Sequence, residues 1–445
     1  MTELTLREIA GFCAGELVGC DGAQTVTEIV TDSRRASAGT LYLALRGERF
    51  DGHDFIPAAI RSGAAAAVSE KRIEGCPTVL VKDTLRAYQD IAAHYRQRFD
   101  IPVIGITGSV GKTSTKEMLA AVLGVRFRVL KTAGNQNNHI GVPATLLRLM
   151  PEDEVAIIEM GTNHFGEIDV LTRIARPTMC LITNIGTAHI GNFGSREGIF
   201  RGKTEIFNGL VPGGRVFVNG DDDYLSTLEN AMFYGFGDNC AVRAEAVEAD
   251  GLAGSDFTAV TPVGSIRVHV PAPGIHMVSN ACAAIAVGLA CGMTLEETAR
   301  GAGHYEALRM QMKKGFVTLI DDSYNANPVS MKSSLDVLKL AQTRRVAILG
   351  DMRELGDDAE KLHAEVGVYA AQTGIERLIC VGEVSRAMAR AANAIRPGLA
   401  ETFASADAVK GALGTILKKD DTVLVKASLL TGLGTVAGAI EQMKE

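Results

Sequence analysis

A glycine-containing loop with a single lysine is the part of this sequence whose residue types most directly suggest chemistry. The loop consists of Thr107, Gly108, Ser109, Val110, Gly111, Lys112, Thr113 and Ser114. Glycines allow backbone N–H groups to close around phosphate oxygens, and a helix that starts there favours negative charge at its N-terminus. Lys112 would reach the β- and γ-phosphates, and the Thr113 hydroxyl would hold Mg²⁺. The segment therefore predicts a site for a nucleoside triphosphate.

The elements on either side of the loop decide between a phosphate site and an ordinary helix cap. Residues 101–106 form an apolar run typical of a buried strand, and residues 113–123 form a predicted helix that Gly124 ends. Ile106 stands where the usual phosphate-loop motif has its first glycine, so Gly108 is the useful glycine here. The order of strand, loop and helix favours nucleotide binding over a helix cap after a turn.

Further apolar runs predict an α/β fold in three parts. They are predicted strands at residues 155–159, 178–183, 216–219, 317–320, 346–349, 378–381 and 423–425. Near-continuous apolar runs are typical of parallel strands covered on both faces, and their alternation with helical segments predicts doubly wound sheets. At roughly 150 residues per domain, the length agrees with three domains. We predict domains at residues 1–82, 83–309 and 310–445, the first ending with a strand at residues 79–83.

The composition excludes several classes of protein. The 445 residues carry a net charge of −7, which argues against a nucleic-acid-binding protein. The longest apolar stretch, residues 281–293, is too short for a membrane span of about 20 residues, and the N-terminus does not resemble a signal peptide. The eight cysteines are scattered without a CxxC pair, so neither disulfides nor a zinc site are expected. We therefore expect a cytoplasmic protein.

Long motifs in all three parts resemble the Mur ligases. The central part carries TGSVGKTSTKEML, TAGNQNNHIGVPATLLRL and IIEMGTNHFGEI. GERFDGHDF in the first part, and DDSYNANPVSM and LGDMRELG with His363 downstream in the last, resemble the member that joins D-alanyl-D-alanine to UDP-MurNAc-tripeptide. The resemblance runs nearly from end to end. It implies an N-terminal UDP-binding α/β domain, a central P-loop ATPase domain with a mostly parallel sheet, and a C-terminal Rossmann-like domain.

The resemblance also implies that ATP and Mg²⁺ meet in the central part. Glu159, His189 and Lys203 join Thr113 as metal-binding residues, and Lys203 matches a lysine that is carbamylated in these ligases. Physical reasoning supports Glu159, because a carboxylate that ends a buried strand is costly unless it binds a cation. Without the resemblance, His189 would be interpreted as a loop residue and Lys203 as a charge on a helix surface. An acyl-phosphate mechanism needs positive charge at ATP and at the acceptor carboxylate.

Further positions match contacts of the family with its substrates. Asn280, Arg309 and Asp322 match residues that contact adenine, the γ-phosphate and the ribose, and Arg309 joins the catalytic set of Lys112, Glu159, His189 and Lys203. The resemblance assigns the nucleotide or dipeptide pocket to Tyr324, Asn325 and Asn327. It assigns the UDP-MurNAc-tripeptide to Asp32, Ser33, Arg34, Arg46, Asn135, Asn137 and Asn138. Taken alone, these last segments would be a charged turn and a polar loop.

Several positions depart from the family pattern. Met277 follows His276 where the family usually has Asn, and His139 stands where an acid is common. Leu429 replaces the usual Arg near the end of the chain, and Gly434 stands where Glu is common. Met277 predicts the loss of one polar contact near adenine. Leu429 and Gly434 predict an altered dipeptide end of the site, while the ATP end is otherwise expected to be intact.

Two other functions are compatible with parts of the sequence. A sister Mur ligase or a folylpolyglutamate-type synthetase would use another amine, but the SYNAN and GDMRELG stretches argue against both. A nucleotide-binding scaffold that has lost ligation is the alternative from another class, and the retained Glu159, His189 and Lys203 argue against it. We predict a monomeric, ATP- and Mg²⁺-dependent ligase acting on UDP-MurNAc-tripeptide and D-alanyl-D-alanine, without nucleic-acid binding or membrane insertion.

Overall fold

A computed structural model describes residues 1–47, 49–308 and 310–444 of the chain. Three separate sheets dominate it, together with one two-stranded sheet near the N-terminus. Helices cover these sheets, as expected for an α/β protein. Among the described residues, no helix combines the length and apolar character that crossing a bilayer requires. All eight cysteines are free.

The N-terminal part is built on a five-stranded sheet. Its elements are β1 (Leu4–Thr5), α1 (Leu6–Phe12), β2 (Glu16–Val18), β3 (Thr25–Val26), β4 (Glu28–Val30), β5 (Thr40–Leu43), α2 (Ile56–Arg61), β6 (Ala66–Ser69), β7 (Thr78–Leu80) and α3 (Thr84–Arg96). The strand order is β2-β7-β6-β5-β4, and only the β2–β7 pair is antiparallel. The predicted strand at 79–83 is shorter, because Asp83 caps α3 by accepting a hydrogen bond from the backbone N–H of Arg86.

The central part is built on a nine-stranded sheet. Its elements are β8 (Val103–Thr107), α4 (Lys112–Leu123), β9 (Val129–Lys131), α5 (Gly141–Leu146), β10 (Val155–Glu159), α6 (Glu167–Ala175), β11 (Met179–Ile182), α7 (Ile190–Phe193), α8 (Arg196–Thr204), β12 (Arg215–Asn219), β13 (Met232–Gly235), β14 (Val242–Asp250), β15 (Gly254–Thr261), β16 (Gly264–Val270), α9 (Ile275–Ala290) and α10 (Leu295–Ala302). The order is β16-β15-β14-β13-β12-β11-β8-β10-β9. Neighbours from β9 to β14 are parallel, which confirms the mostly parallel sheet.

Strands β14 to β16 form an antiparallel extension that the sequence analysis did not predict. In β15, the buried Phe257 and Ala259 alternate with partly exposed neighbours. Buried and exposed residues alternate with a period of two in a strand that is covered on one face, whereas the strands were predicted from continuous apolar runs. The alternation is the signal that could have identified the extension.

The C-terminal part is built on a six-stranded sheet. Its elements are β17 (Gln311–Lys314), β18 (Thr318–Asp322), α11 (Pro328–Lys339), β19 (Arg345–Gly350), α12 (Ala359–Gln372), β20 (Arg377–Val381), α13 (Ser385–Ile395), β21 (Ala400–Phe403), α14 (Ala406–Ile416), β22 (Thr422–Lys426) and α15 (Gly434–Glu441). The order is β17-β18-β22-β19-β20-β21, and only the β17–β18 pair is antiparallel. The α/β fold class is therefore confirmed, while the domain boundaries at residues 82 and 309 stay a prediction.

The core of the central part explains why one helix is almost entirely apolar. Helix α9 packs together with α4 on one face of the nine-stranded sheet, and both contribute to one buried hydrophobic cluster. The other face is covered by α3, α5 and α6. This arrangement fixes the N-terminus of α4 at the carboxyl end of β8, where ligands bind in sheets of this kind.

Candidate active site

A cavity of about 1420 Å³ lies between the central and C-terminal parts. Its walls come from the carboxyl ends of parallel strands in both sheets, with residues of β10 and β18 among them. The structure brings these predicted site residues to its walls: Ser109, Val110, Gly111, Lys112, Thr113, Ser114, Asn135, Asn137, Asn138, Glu159, His189, Asn280, Asp322, Tyr324, Asn325 and Asn327. Arg309, assigned to the γ-phosphate, lies outside the described residues.

The backbone of the phosphate loop requires glycine at two positions. Gly108 has φ +149°, and a Cβ there would lie 1.9 Å from the Oγ1 of Thr183. Gly111 has φ +81° and immediately precedes α4, which begins at Lys112. Only glycine adopts such conformations at little cost. The loop therefore turns tightly from β8 into α4, and its residues 109–114 line the cavity.

Two residues after β11 hold the phosphate loop, and the sequence analysis missed both. Asn184 accepts a hydrogen bond from the N–H of Val110 at 3.1 Å and donates one to its carbonyl at 3.0 Å. The Thr183 hydroxyl donates to the same carbonyl at 2.6 Å. Their position could have identified them, because both directly follow β11, a strand that pairs with β8. The loop is thus fixed by side chains from a neighbouring strand end.

Lys112 lies over the loop that it belongs to. Its Nζ donates to the carbonyl of Gly108 at 2.8 Å. Burial lowers the pKa of Lys112, and the negative charge of Glu159 acts in the opposite direction. An anionic ligand in the cavity would give this ammonium group a charged partner in place of a neutral carbonyl oxygen.

Glu159 ends β10 as a buried carboxylate, with 1% of the residue exposed. The Thr113 hydroxyl lies 3.3 and 3.1 Å from its two oxygens, and Asn137 donates to Oε1 at 2.8 Å. The Thr132 hydroxyl accepts the backbone N–H of Glu159 at 3.0 Å. The structure therefore brings Asn137, which was predicted to border UDP-MurNAc-tripeptide, next to the predicted metal-binding residues Thr113 and Glu159.

Lys116 is the charged partner of Glu159 that the sequence analysis missed. Its Nζ lies 3.5 Å from Oε2 of Glu159 and 3.2 Å from Oε1 of Glu117, and it donates to the carbonyl of Gly134 at 3.0 Å. Lys116 is fully buried. Lys116 could have been identified from its position four residues after Lys112, because residues i and i+4 lie on one face of a helix.

The donor groups around Glu159 fit Mg²⁺. The carboxylate and hydroxyl oxygens of Glu159 and Thr113 are the hard ligands that Mg²⁺ prefers, and the carboxylate is already removed from bulk water. His189 lines the same cavity but has no hydrogen bond to either residue within the part of the chain that the structure describes. In those same residues, no group of three or more His, Cys, Asp and Glu side chains is arranged as a metal site.

His189 contacts the C-terminal part instead. Its Nδ1 is hydrogen-bonded to Oε2 of Glu354, and the two side chains also form an ion pair if the imidazole is protonated. This hydrogen bond lowers the pKa of Glu354. His189 has φ +62° and directly precedes α7. Glu354 was not among the predicted site residues, although it lies in the LGDMRELG motif.

Lys203 is buried on α8, with 1% of the residue exposed, and does not line the cavity. Burial lowers its pKa well below the ordinary value, and the nearby charge of Lys112 lowers it further. Its placement excludes the simple interpretation of a solvated charge on a helix surface. A neutral amine is the form of lysine that reacts as a nucleophile.

The C-terminal side of the cavity contains a buried ion pair. Asp322 and Lys426 are partners on the neighbouring strands β18 and β22, and Nζ of Lys426 lies 2.5 Å from Oδ2 of Asp322. Ser334 donates to the same oxygen at 2.8 Å, and Lys426 also donates to the carbonyl of Asn325 at 2.9 Å. Asp322 is predicted to contact the ribose, and in the structure it lines the cavity with the cation of Lys426 beside it.

Asn280 and Met277 lie on α9 at the edge of the cavity. The Thr115 hydroxyl donates to Oδ1 of Asn280 at 3.0 Å. The amide nitrogen of Asn280 donates to the sulfur of Met277 at 3.6 Å. Met277, which replaces the usual Asn, is therefore in contact with the residue assigned to adenine.

Three of the asparagines predicted to bind substrate or nucleotide accept hydrogen bonds from nearby backbone N–H groups. Asn327 caps α11 by accepting from the N–H of Ser330 at 2.9 Å. Asn138 accepts from the N–H of Gly141 at 2.9 Å, and Asn325 accepts from the N–H of Ala326 at 2.8 Å. These contacts shape the loops that line the cavity, and a direct contact with substrate stays a prediction for each.

The residues assigned to uridine diphosphate lie in the N-terminal part and do not line this cavity. Asp32 caps the short 3₁₀ helix Ser33–Arg35 and binds Nε of Arg34 at 2.9 Å, and this pairing lowers the pKa of Asp32 to about 2. Arg46 pairs with Glu70 at 2.7 Å. Both arginine side chains are more than half exposed.

Comparison with known families decides what kind of protein has this arrangement. The family model described as the Mur ligase family catalytic domain matches residues 25–96, the Mur ligase middle domain matches residues 106–288, and the Mur ligase glutamate ligase domain matches residues 308–429. The chain belongs to the Mur ligase family. Its phosphate loop and Glu159 lie in the middle domain of that family, and Asp322 and Lys426 lie in the third.

Individual Mur ligases are similar to this chain over their full length. UDP-N-acetylmuramoyl-tripeptide--D-alanyl-D-alanine ligase of Escherichia coli (strain K12) is 38% identical over 99% of both chains. The crystal structure of MurF from Acinetobacter baumannii superposes with a TM-score of 0.93, at 33% identity over 100% of both chains. MurF ligase from Thermotoga maritima in complex with ADP gives a TM-score of 0.83, at 26% identity over 93% of this chain and 97% of that one.

Proposed function

We propose that this Mur ligase joins D-alanyl-D-alanine to UDP-MurNAc-tripeptide at the cost of one ATP, forming the UDP-MurNAc-pentapeptide, ADP and phosphate. The observation that carries the proposal is one cavity with a phosphate loop and a buried carboxylate on one side and the Asp322–Lys426 pair on the other. The full-length similarity to an E. coli enzyme named for this reaction supports the choice of substrates.

The reaction has two steps. First, an oxygen of the tripeptide carboxylate attacks the γ-phosphorus of ATP, and the bond between that phosphorus and ADP breaks. Second, the amine of D-alanyl-D-alanine attacks the acyl carbon, loses a proton, and phosphate leaves as the amide forms. Both steps depend on holding reactants in line and neutralising charge, so no side-chain nucleophile is required.

Residues of the phosphate loop hold ATP in this proposal. Backbone N–H groups around Gly108 and Gly111 face the phosphates, and Lys112 exchanges its contact with the Gly108 carbonyl for the β- and γ-phosphate oxygens. Asn280 lies at adenine and Asp322 at the ribose, while Tyr324, Asn325 and Asn327 border the nucleotide or the dipeptide. Arg309 keeps its assignment to the γ-phosphate as a prediction from sequence.

Thr113 and Glu159 would hold one Mg²⁺, and His189 and Lys203 would hold a second after Lys203 has gained a carbamate. Bound Mg²⁺ neutralises negative charge on the phosphates and the acceptor carboxylate. Before it binds, Lys116 balances the buried charge of Glu159. The lowered pKa of Lys203 agrees with carbamate formation, because the neutral amine is the species that reacts with CO₂.

UDP-MurNAc-tripeptide spans from the N-terminal part to the cavity in this proposal. Asp32, Ser33, Arg34 and Arg46 lie at its diphosphate end, and the exposed arginines supply the positive charge. Asn135, Asn137 and Asn138 border its peptide end at the cavity. The cytoplasmic location and the monomeric state also stay predictions.

Phosphate release from ATP tests the function. The enzyme is incubated with UDP-MurNAc-tripeptide, with and without D-alanyl-D-alanine, and the product is identified by mass spectrometry. We expect release that depends on both substrates and a product heavier by one dipeptide less one water. Turnover with a single amino acid in place of the dipeptide would instead show a sister ligase. ATP binding without phosphate release under all conditions would show a nucleotide-binding scaffold.

A further inference from the structure

The contact between His189 and Glu354 joins two loops from different sheets. His189 lies between β11 and α8 in the central part, and Glu354 lies between β19 and α12 in the C-terminal part. Both residues have φ +62°, a left-handed conformation that is uncommon for residues other than glycine. The backbones also meet, because the N–H of Gly191 donates to the carbonyl of Glu354 at 3.4 Å. A Cβ on Gly191 would lie 3.1 Å from the nitrogen of Gly356.

The loop that carries Glu354 is fixed within the C-terminal part. The N–H of Met352 donates to Nε2 of the buried His363 at 2.9 Å. The N–H of Arg353 donates to the hydroxyl of Ser428 at 3.1 Å, and the N–H of Ser428 donates to the carbonyl of Asp351 at 3.2 Å. The carboxylate of Glu354 is therefore presented to His189 from a loop tied to the ends of two C-terminal strands.

We propose that Glu354 is a positioning residue that orients His189 for metal binding, so that docking of the C-terminal part completes the metal site of the central part. The proposal rests on the proposed function, in which His189 is a metal ligand. An imidazole that donates from Nδ1 to a carboxylate keeps Nε2 as a lone-pair donor, and His ligands of metals commonly have such a partner. The His189 side chain is 20% exposed and lines the cavity, and Nδ1 is the ring nitrogen that is bonded to Glu354.

Docking and metal binding then stabilise each other. If the docked loop raises the affinity of the site for a metal, the bound metal must favour the docked loop by the same factor. Closure around the substrates would thus be coupled to loading of the metal site. A purely structural ion pair between the two loops would lack this coupling.

The test is to measure Mn²⁺ binding to the full-length enzyme by electron paramagnetic resonance, with ADP present. Glu354→Ala is expected to lower the affinity for Mn²⁺ at one class of site by about 10–100-fold. Glu354→Gln keeps an acceptor oxygen, so its Mn²⁺ affinity should fall less. In a His189→Ala background, Glu354→Ala should have no further effect. Glu360→Ala, an exposed carboxylate on α12, is the matched control and should bind Mn²⁺ like the wild type. Wild-type affinity in a folded Glu354→Ala enzyme would overturn the proposal.

Hydrogen exchange supplies a readout independent of catalysis. Mn²⁺ should slow exchange in residues 351–356 of the wild type and leave them unchanged in His189→Ala. Equal slowing in both would show that the loop does not respond through His189, and the proposal would be wrong. If wild-type enzyme binds Mn²⁺ as expected but forms no pentapeptide, the proposed function fails while the coupling between the two loops stands.

Discussion

Lys116 and Glu159 form a buried ion pair next to the phosphate loop, with Nζ 3.5 Å from Oε2 and both side chains almost completely removed from water. Removing one member of a buried pair leaves an uncompensated charge, which costs about 3–5 kcal/mol of folding free energy. We expect Lys116→Met to destabilise the enzyme by this order, measured by urea unfolding. Glu159→Gln in the same chain should restore part of the loss. Lys339 is exposed, and Lys339→Met serves as the control. If Lys116→Met is as stable as Lys339→Met, the pairing of Lys116 with Glu159 would be contradicted.

Lys112→Ala is expected to abolish most phosphate release while leaving the melting temperature near that of the wild type. Among the described residues its ammonium group donates to a loop carbonyl, and in the proposed function its charged partner is the phosphate of ATP. Phosphate release and thermal unfolding are measured on the same preparation, with Lys339→Ala as a control outside the cavity. Turnover within a few-fold of the wild type would show that the ATP site has been assigned wrongly.

Lys203→Arg is expected to lose as much activity as Lys203→Ala. Arginine keeps a positive charge but cannot form a carbamate, whereas the buried Lys203 has a lowered pKa that favours its reactive neutral form. Steady-state phosphate release of both variants is the measurement. A fully active Arg variant would exclude the carbamate.

Stability below neutral pH is expected to depend on His363. Burial lowers its pKa below the ordinary value of 6.5, and the neutral Nε2 accepts the N–H of Met352. The unfolded chain therefore binds a proton more readily, so the free energy of unfolding falls as pH drops below about 6.5, by at most about 1.4 kcal/mol per pH unit. The fall from this residue stops once pH is below the folded pKa.

His363→Gln should remove this part of the pH dependence. Urea unfolding of both proteins between about pH 7 and pH 5 is the measurement, because that range includes the ordinary His pKa. A difference in unfolding free energy between wild type and variant that does not change with pH would contradict the assignment.

Leu429→Arg is expected to lower the KM for D-alanyl-D-alanine. A hydrogen bond to a charged group contributes about 1.5–3 kcal/mol, which corresponds to about tenfold or more in affinity. Leu429 is 62% exposed, so an arginine has room there, but Leu429 does not line the cavity, whereas the buried Lys426 does. Steady-state kinetics with one substrate varied at a time is the test. An unchanged dipeptide KM would show that position 429 does not face the dipeptide.

Features encoded in short windows could be predicted from the sequence. The order of β8, loop and α4, the strands at Val155–Glu159 and Arg377–Val381, and the α/β class follow from apolar runs and from glycine at one turn. The long family motifs added the assignments at Glu159, His189 and Asp322, which local physics alone left open between a site and an ordinary loop. Strands β14 to β16 were missed because their period differs from that of the buried strands.

The sequence by itself determined that a phosphate loop and a set of polar strand ends exist; the tertiary structure decided which of them meet. Asn184 reaches Val110 because β11 pairs with β8, and Lys426 reaches Asp322 because β22 pairs with β18. Glu354 reaches His189 across 165 residues because two sheets pack with their loops in contact. Local patterns specify the conformation of one segment, whereas contacts between distant segments depend on strand order and packing, which no short window contains.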